Sequence, residues 1–576
     1  MTSMNVASIR LIAGERSRVS PVSPLFRLIW RRFFWCFSFG AFQLLTTAGL
    51  AQQIKQGNLV LEMDRLINVP PQSTLGIITQ VLFPGDGSDR IILPELRGRV
   101  RMLENGIYTT FLDLSSEVIQ SGAQGLLGTA LHPGYADPGS LGYRKLYTFH
   151  STLDTVPPPD FINPGPASTY HNVVTEWQVS VADPKVVDLS TRREIFRATH
   201  PNELHSGGMV TFGPDGHLYT TIGTPAGYEL NAQDNSNLLG TIIRIDPLDP
   251  SLTPGSANPV SANGKYRIPS DNPFLSDPAL DEIFAYGVRN PYRFSVDPVS
   301  GLVFAGDVGQ GGREEVSAFG AGANLGWPYR EGTAPNITPP DPAPSMLGPI
   351  AEYSHADGRS VIGGFVYHGS IPELQGKYIF GEFSFGTGPF SSSRGRLLWI
   401  DPFDEQGELK DFSEIEINEF AFTPDTCALM PGCKLDITVY GFGVDEDQEL
   451  YVVGTGGNRV RLYKLASAFV APDGDYDRDG KVDMEDYNVW RDSMGATVGL
   501  RPADGNGDDV VNELDYLVWK ENFGTSINGN GAADVVPEPS GLVGAIFAMS
   551  LLWTCSIIRE RQRTRFPSFG ASLYYR

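Results

Sequence analysis

Between residues 58 and 466, apolar and polar positions alternate over short runs rich in β-branched and aromatic side chains. Gly, Pro, Asp and Asn turns separate the runs, and few stretches keep a 3.6-residue period. That pattern predicts an all-β body. Three pieces share an acidic turn followed by a strand: Gly213-Pro-Asp-Gly-His-Leu-Tyr219, Val296-Asp-Pro-Val-Ser-Gly-Leu-Val-Phe304 and Val444-Asp-Glu-Asp-Gln-Glu-Leu-Tyr451. Recurrent strand-turn-strand units point to radially packed sheets with protected edges, a propeller. Patterning alone does not separate that from a sandwich. The Pro-rich stretches 155–166 and 333–349 read as surface insertions that can wall a site.

After Ala466 the pattern changes to two acidic loops, each leading into a short helix. Asp475, Asp477, Asp479, Asp483 and Asp486 stand at loop positions 1, 3, 5, 9 and 12, with Gly480 at position 6. Asp504, Asn506, Asp508, Asn512 and Asp515 repeat the spacing, and the helices repeat as Asp486-Tyr-Asn-Val-Trp490 and Asp515-Tyr-Leu-Val-Trp519. Clustered oxygens around a sharp turn suit a hard cation, so two calcium sites are expected. The first is expected to be tighter, because Asp509 replaces the turn glycine in the second. The alternative is a solvated acidic turn.

The ends carry two further patterns. Arg27, Arg31 and Arg32 precede an apolar run from Phe33 to Leu45 and small residues at 49–51. This predicts an export signal over 1–51, the run being short for a membrane anchor. At the other end Pro537, Glu538 and Pro539 precede an apolar run over 541–558 and then Arg559, Arg561 and Arg563. Arginines after the span would stay cytoplasmic and leave the body outside. Cys427 and Cys433 are the two cysteines of the expected mature body and fit a disulfide in an oxidising compartment, with two reduced buried thiols as the alternative. The formal charge of −23 argues against a nucleic-acid partner, which needs a basic face.

Several segments, in order, carry a family resemblance. They are Gln124-Gly-Leu-Leu-Gly128, Leu131-His-Pro133, His171-Asn-Val-Val-Thr-Glu-Trp177, His205-Ser-Gly-Gly208, Arg244-Ile-Asp246, Tyr286-Gly-Val-Arg-Asn-Pro291, Gly306-Asp-Val-Gly-Gln310, Asn324-Leu-Gly-Trp-Pro328 and Gly363-Gly-Phe-Val-Tyr-His-Gly369. Residues 58–466 thereby resemble the glucose/sorbosone dehydrogenase family, the soluble quinoprotein sugar dehydrogenases and their Hedgehog-interacting-protein-like relatives. The resemblance implies a six-bladed propeller that oxidises an aldose at C1 with pyrroloquinoline quinone and calcium. It implies His205 as general base and Arg289 as the cation opposite the forming oxyanion. It also implies Gln124, Asn290 and Lys434 at the cofactor, with the carbonyls of Gly309 and Gln310 at the associated calcium. Several positions depart from the pattern. Leu204 stands where the glucose dehydrogenases have an acidic residue, and Thr224 where many relatives have Asp. The loop 381–386 lacks a lysine, and where the relatives have a pair of cofactor arginines this chain has at best Lys434, with Arg394 and Arg396 as candidate substitutes. The alternative function is a noncatalytic extracellular propeller that binds carbohydrate or protein. Residues 473–525 resemble a dockerin, implying a cohesin-like partner. The tail 535–576 resembles a PEP-CTERM sorting signal, implying processing by an exosortase and a final place in the periplasm, on the outer surface or outside the cell.

Overall fold

The computed structural model describes residues 55–69, 75–165, 170–276, 278–385, 394–403, 409–410, 412–417, 435, 437–456, 459–496, 503–508, 510–527 and 533–535. The export signal, the Cys427 and Cys433 pair, Lys434, Asp509 and the sorting tail from Val536 onward lie outside them, as does the side chain of Arg394. Among the described residues no helix is long and apolar enough to cross a membrane.

The β body is a six-bladed propeller of four-stranded antiparallel units. In the first blade the segment 77–82 is bridged to Ile91–Pro94, followed by Arg99–Glu104 and Ile107–Asp113. The second runs Leu126–Leu131, Lys145–Thr152, Tyr170–Val179 and Val187–His200. The third is Val210–Phe212, Leu218–Ile222, Thr241–Ile245 and Ile283–Tyr286. Pro291–Val296, Val303–Asp307, Arg313–Phe319 and Ala351–Ser354 make the fourth, and Val361–Val366, Tyr378–Phe385, Arg394–Ile400 and Phe412–Ile417 the fifth. The sixth takes Thr438–Val444, Leu450–Gly456 and Arg459–Val470, and its outer strand is Lys55–Val69 from the start of the body.

That outer strand closes the ring. It pairs antiparallel with Arg459–Val470, Leu59 opposite Val470, and parallel with Phe412–Ile417. Closure by backbone hydrogen bonds removes the free edges a ring of sheets would otherwise expose.

The core lies between blades. Six buried apolar clusters stand one at each junction, such as Leu127, Phe149, Phe196, Val210 and Ile243 between the second and third blades. The others join first to second, third to fourth, fourth to fifth, fifth to sixth and sixth to first. Because both faces of a blade are covered, interior strands such as Thr241–Ile245 are buried at every position. They are buried on both faces, polar residues such as Thr241 and Arg244 included, and do not show the half-exposed alternation read from the sequence. The three acidic turns occupy one structural place, the hairpin between the two innermost strands of blades three, four and six. Their aspartates do related work: Asp215 and Asp445 accept from the hydroxyls of Tyr219 and Tyr451, and Asp297 accepts from Ser300.

After the sixth blade come two loop–helix units, with helix α1 over Met484–Ser493 and α2 over Glu513–Asn522. Each begins with a reciprocal capping box, Asp483 with Asp486 and Asn512 with Asp515. A small cluster of Tyr476, Val482, Ala503, Val511 and Trp519 holds the units together.

Candidate active site

His205 lies in the middle of the loop that leads into the inner strand of the third blade, and it sits at φ 57°. A non-glycine residue there is costly and aims its side chain away from the strand path. The imidazole Nδ1 lies 2.7 Å from the Thr224 carbonyl. A carbonyl only accepts, so Nδ1 carries the proton and Nε2 keeps its lone pair. Burial and the nearby Arg289 guanidinium push His205 down to about 4, so the ring is neutral at physiological pH.

Thr224 joins the histidine to the arginine. Its carbonyl accepts from His205, its amide donates to the Arg289 carbonyl at 2.6 Å, and its hydroxyl donates to the Val288 carbonyl at 2.8 Å. Gly223 beside it is required by space, since a Cβ there would fall 2.3 Å from the His205 carbonyl oxygen and 2.8 Å from that of Arg289. His205 and Arg289, 84 positions apart in the chain, therefore flank one dipeptide.

The Arg289–Asn290 loop is held from below by Asp307, which is buried. Its two carboxylate oxygens accept from the amides of Arg289 at 2.8 Å and Asn290 at 2.6 Å. Burial pushes Asp307 up, to about 6, and pushes its cross-strand partner Glu315 well above the usual carboxylate range. The Arg289 guanidinium donates to the Val308 carbonyl at 2.7 Å and stands 5.6 Å from the Trp327 ring centroid. Burial holds its pKa below the ordinary arginine value.

Asn290 and Val308 line a cavity of about 380 Å³ shared with Gln124, Tyr292, Phe383 and Tyr440. Gln124 is fully buried, and neither its amide nitrogen nor its oxygen has a partner. A buried unpartnered amide costs free energy unless something binds it. Aromatic walls and one free amide suit a flat polar ligand. The described lining contains no lysine or arginine. Arg396, one of the candidate substitutes, instead turns to Glu414 and the Asp357 carbonyl.

Gly309 and Gln310 lie in the loop after Val308. The amides of Gln310, Gly311, Gly312 and Arg313 all donate to one Glu331 oxygen, at 2.6 to 3.3 Å. A Cβ on Gly309 would lie 2.8 Å from that oxygen, so Glu331 adds a carboxylate beside the two expected carbonyls. Asp307, Thr224 and Glu331 were not singled out from the sequence as site residues; each bonds to main-chain atoms of the site loops, and such partners carry no residue identity. The aromatic positions of the cavity gave no signal beyond strand-like composition.

In the C-terminal units, Asp475, Asp477 and Asp479 bring carboxylate oxygens within 4.8 Å of one another. Burial and the charge of Asp486 push Asp475 and Asp477 up to about 7. Gly480 has φ 87°, the conformation expected at the sharp turn. Asp486 stands apart from the three, accepting from the amides of Tyr476, Asp477 and Asp483. Asp483 caps α1 through Glu485. The second loop repeats the arrangement. The Asp508 amide donates to Asp504 and Asn506, Asp515 accepts from the amides of Asn506 and Asn512, and Asn512 caps α2 through Leu514. Each unit also holds the other: Trp490 donates to the Asn512 carbonyl at 2.8 Å and Trp519 to that of Asp483 at 2.7 Å.

Comparison with known proteins places the geometry in context. Residues 79–387 match the family model described as glucose/sorbosone dehydrogenase. Human Hedgehog-interacting protein is 30% identical over 412 residues, 67% of this chain and 50% of that protein. Escherichia coli aldose sugar dehydrogenase YliI is 27% identical over 214 residues, 37% of this chain and 48% of that protein. A solved glucose dehydrogenase aligns with TM-score 0.50 and 19% identity over 70% of this chain and 98% of its own, a likeness of fold. The chain spans about half the length of the curated relatives it matches.

Proposed function

The chain belongs to the glucose/sorbosone dehydrogenase family, and from that premise we propose that its propeller oxidises an aldose at C1. The observation that carries the reading is the His205 tautomer: Nδ1 is committed to Thr224, which leaves a neutral Nε2 free to take a proton beside Arg289. In this reading Nε2 removes the proton of the anomeric hydroxyl, and the ring then carries the charge. Arg289, fixed by Val308 and by the Asp307 clamp on its backbone, supplies positive charge where negative charge develops. Gln124 and Asn290, with the aromatic walls of the cavity, would hold pyrroloquinoline quinone. When bound, the quinone would supply the acceptor for the hydride of C1. The carbonyls of Gly309 and Gln310 would offer calcium hard oxygen donors; Glu331 Oε1 is already taken by four backbone amides, which leaves only its Oε2 to join them.

Adding the quinone and calcium to the purified protein, then recording its absorption spectrum and dye-linked turnover across a sugar panel, tests the reading. Quinone binding with turnover of at least one aldose is expected. Neither binding nor turnover would overturn it. The second reading, a noncatalytic propeller that binds carbohydrate or protein, is favoured by one observation: the described cavity lining offers no cation to a tricarboxylic cofactor. The absence of quinone binding would select it.

For the rest of the chain, we propose that the tandem loops are a dockerin-like module that binds two calcium ions and docks to a cohesin-like partner. The tail from residue 535 is proposed as a PEP-CTERM-like signal that takes the exported protein to the cell envelope for exosortase processing. Replacing Pro537, Glu538 and Pro539 with alanine should leave a longer, membrane-retained form, and an unchanged mature mass and location would overturn the sorting assignment.

A further inference from the structure

The inner strand of the fourth blade carries a cation that nothing above uses. Arg293 is 3% exposed. Its Nη1 donates to the Leu127 carbonyl at 2.9 Å, crossing from the fourth blade to the second, and to the Tyr292 carbonyl at 3.1 Å. Nη2 donates to the Tyr292 hydroxyl at 3.2 Å, and the guanidinium stands 4.1 Å from the Tyr292 ring centroid. Of its five N–H donors three are thus used; Nε is the one nitrogen of the group with no partner. Among the described residues no carboxylate pairs with Arg293. A buried guanidinium held only by neutral oxygens and a ring face leaves its charge largely uncompensated.

A second orphan lies two residues further along the same strand. Ser295 is buried, and its hydroxyl has no partner. The register runs without a break from Arg293 opposite Gly306 to Ser295 opposite Phe304. Side chains two apart on an unbroken strand share a face. Opposite Arg293 there is only glycine, and a Cβ on Gly363 of the fifth blade would lie 3.3 Å from the Arg293 Cβ. The neighbouring backbone thus brings no side-chain acceptor to this spot. An N–H bearing full positive charge and a rotatable O–H, both buried and unpaired on one face, ask for an acceptor with negative charge.

We propose that Arg293 Nε and Ser295 Oγ form a buried anion site that takes a small inorganic monoanion of about the size of chloride. The site is independent of the proposed sugar chemistry. Tyr292 covers the guanidinium and itself lines the cavity, so the anion sits behind the cavity wall.

The test uses the whole protein at constant ionic strength, with gluconate replacing chloride or bromide. The melting temperature should rise with halide and saturate. Ser295→Ala should raise the half-saturating halide concentration about tenfold, the loss of one charge-assisted hydrogen bond. Arg293→Met should abolish the dependence. Crystals grown in bromide should show an anomalous peak between Nε and Oγ, a readout that stands if Arg293→Met fails to fold. Equal stability in halide and gluconate, a halide effect unchanged in Ser295→Ala, a peak elsewhere, or a rise with formate but not with halide would each overturn the proposal.

Discussion

The propeller site and the C-terminal loops solve the problem of gathering charged groups in opposite ways. In each loop the expected ligands fall within twelve consecutive positions, and in the first loop three carboxylates come within 4.8 Å of one another. In the propeller, Gln124, His205, Arg289 and Asp307 come from the second, third and fourth blades and their loops, and they approach one another because neighbouring blades pack face to face. The electrostatics are opposite as well. In the loop, burial and then the charge of Asp486 push Asp475 and Asp477 up to about 7, which favours a cation. The propeller buries a lone base beside a cation until His205 falls to about 4, which keeps its lone pair available. A local site can be judged by its ligand set, whereas a site assembled over long range depends on the residues that hold its backbone.

The first way to break the comparison is at the loops, where the effect should be all or none. Asp475→Ala with Asp479→Ala in the whole chain removes two of the three clustered carboxylates. Calorimetric titration should then find one calcium ion bound where the parent binds two, with the propeller unaffected. Two ions in the double variant, or none in the parent, would sink the loop assignment.

Next comes the base. His205→Ala should lower turnover by about a hundredfold or more while leaving the fold intact. The acid limb of the parent's pH profile should lie near 4, because only the neutral ring accepts a proton and burial with Arg289 holds it there. Arg289→Ala should lower the rate as well, and should move that limb upward toward the ordinary histidine value by removing the repelling charge. Turnover that survives His205→Ala would leave the family standing and the site misplaced. An acid limb that ignores Arg289→Ala would show that the two side chains do not act together.

This difference between local and assembled sites also sets what could be read in advance. The acidic turns of blades three, four and six were legible because one short hairpin, repeated, needs the same Asp at the same bend. His205, Arg289 and Asn290 were legible through the order of short motifs. Thr224 looked like a departure from the family and is the link between base and cation, through main-chain atoms that any residue possesses. Asp307 stood inside a quoted motif, yet its role depends on the Arg289 and Asn290 amides arriving above it from the preceding strand connection. In the loops the spacing was legible and the division of labour was not. Asp483 and Asp486 satisfy backbone amides at the helix start, an economy that a list of ligand positions does not reveal.

Asp307→Asn sharpens the propeller side more gently. Asparagine keeps one acceptor and replaces the other with a donor facing an amide, so the Arg289–Asn290 loop should loosen. The cost to stability should be about 1–3 kcal/mol, the range for leaving a buried group unsatisfied, seen as a lower denaturation midpoint. Quinone affinity should fall with it, while the acid limb set by His205 changes less than in Arg289→Ala. Unchanged stability and affinity would mean that the clamp is idle.

The smallest effect tests whether a buried histidine behaves alike away from the site. His150 lies wholly inside the second blade, with both ring nitrogens unpartnered, and burial pushes it down to about 3. The folded state therefore keeps the ring neutral, while the unfolded chain takes up a proton near pH 6.5. The unfolded state binds more protons throughout the window between those values, so stability contributed by the neutral ring is present above pH 6.5 and is lost as pH falls toward 3. Each such group contributes a slope of about 1.4 kcal/mol per pH unit. His150→Gln removes the titration, and any packing penalty it brings is the same at both pH values. Between pH 6.5 and 4.5 the parent should lose about 2 kcal/mol more than the variant in denaturant unfolding. Parallel losses would mean that His150 is reached by water and protonated in place, and that burial of a lone histidine in this propeller is not by itself enough to hold the ring neutral.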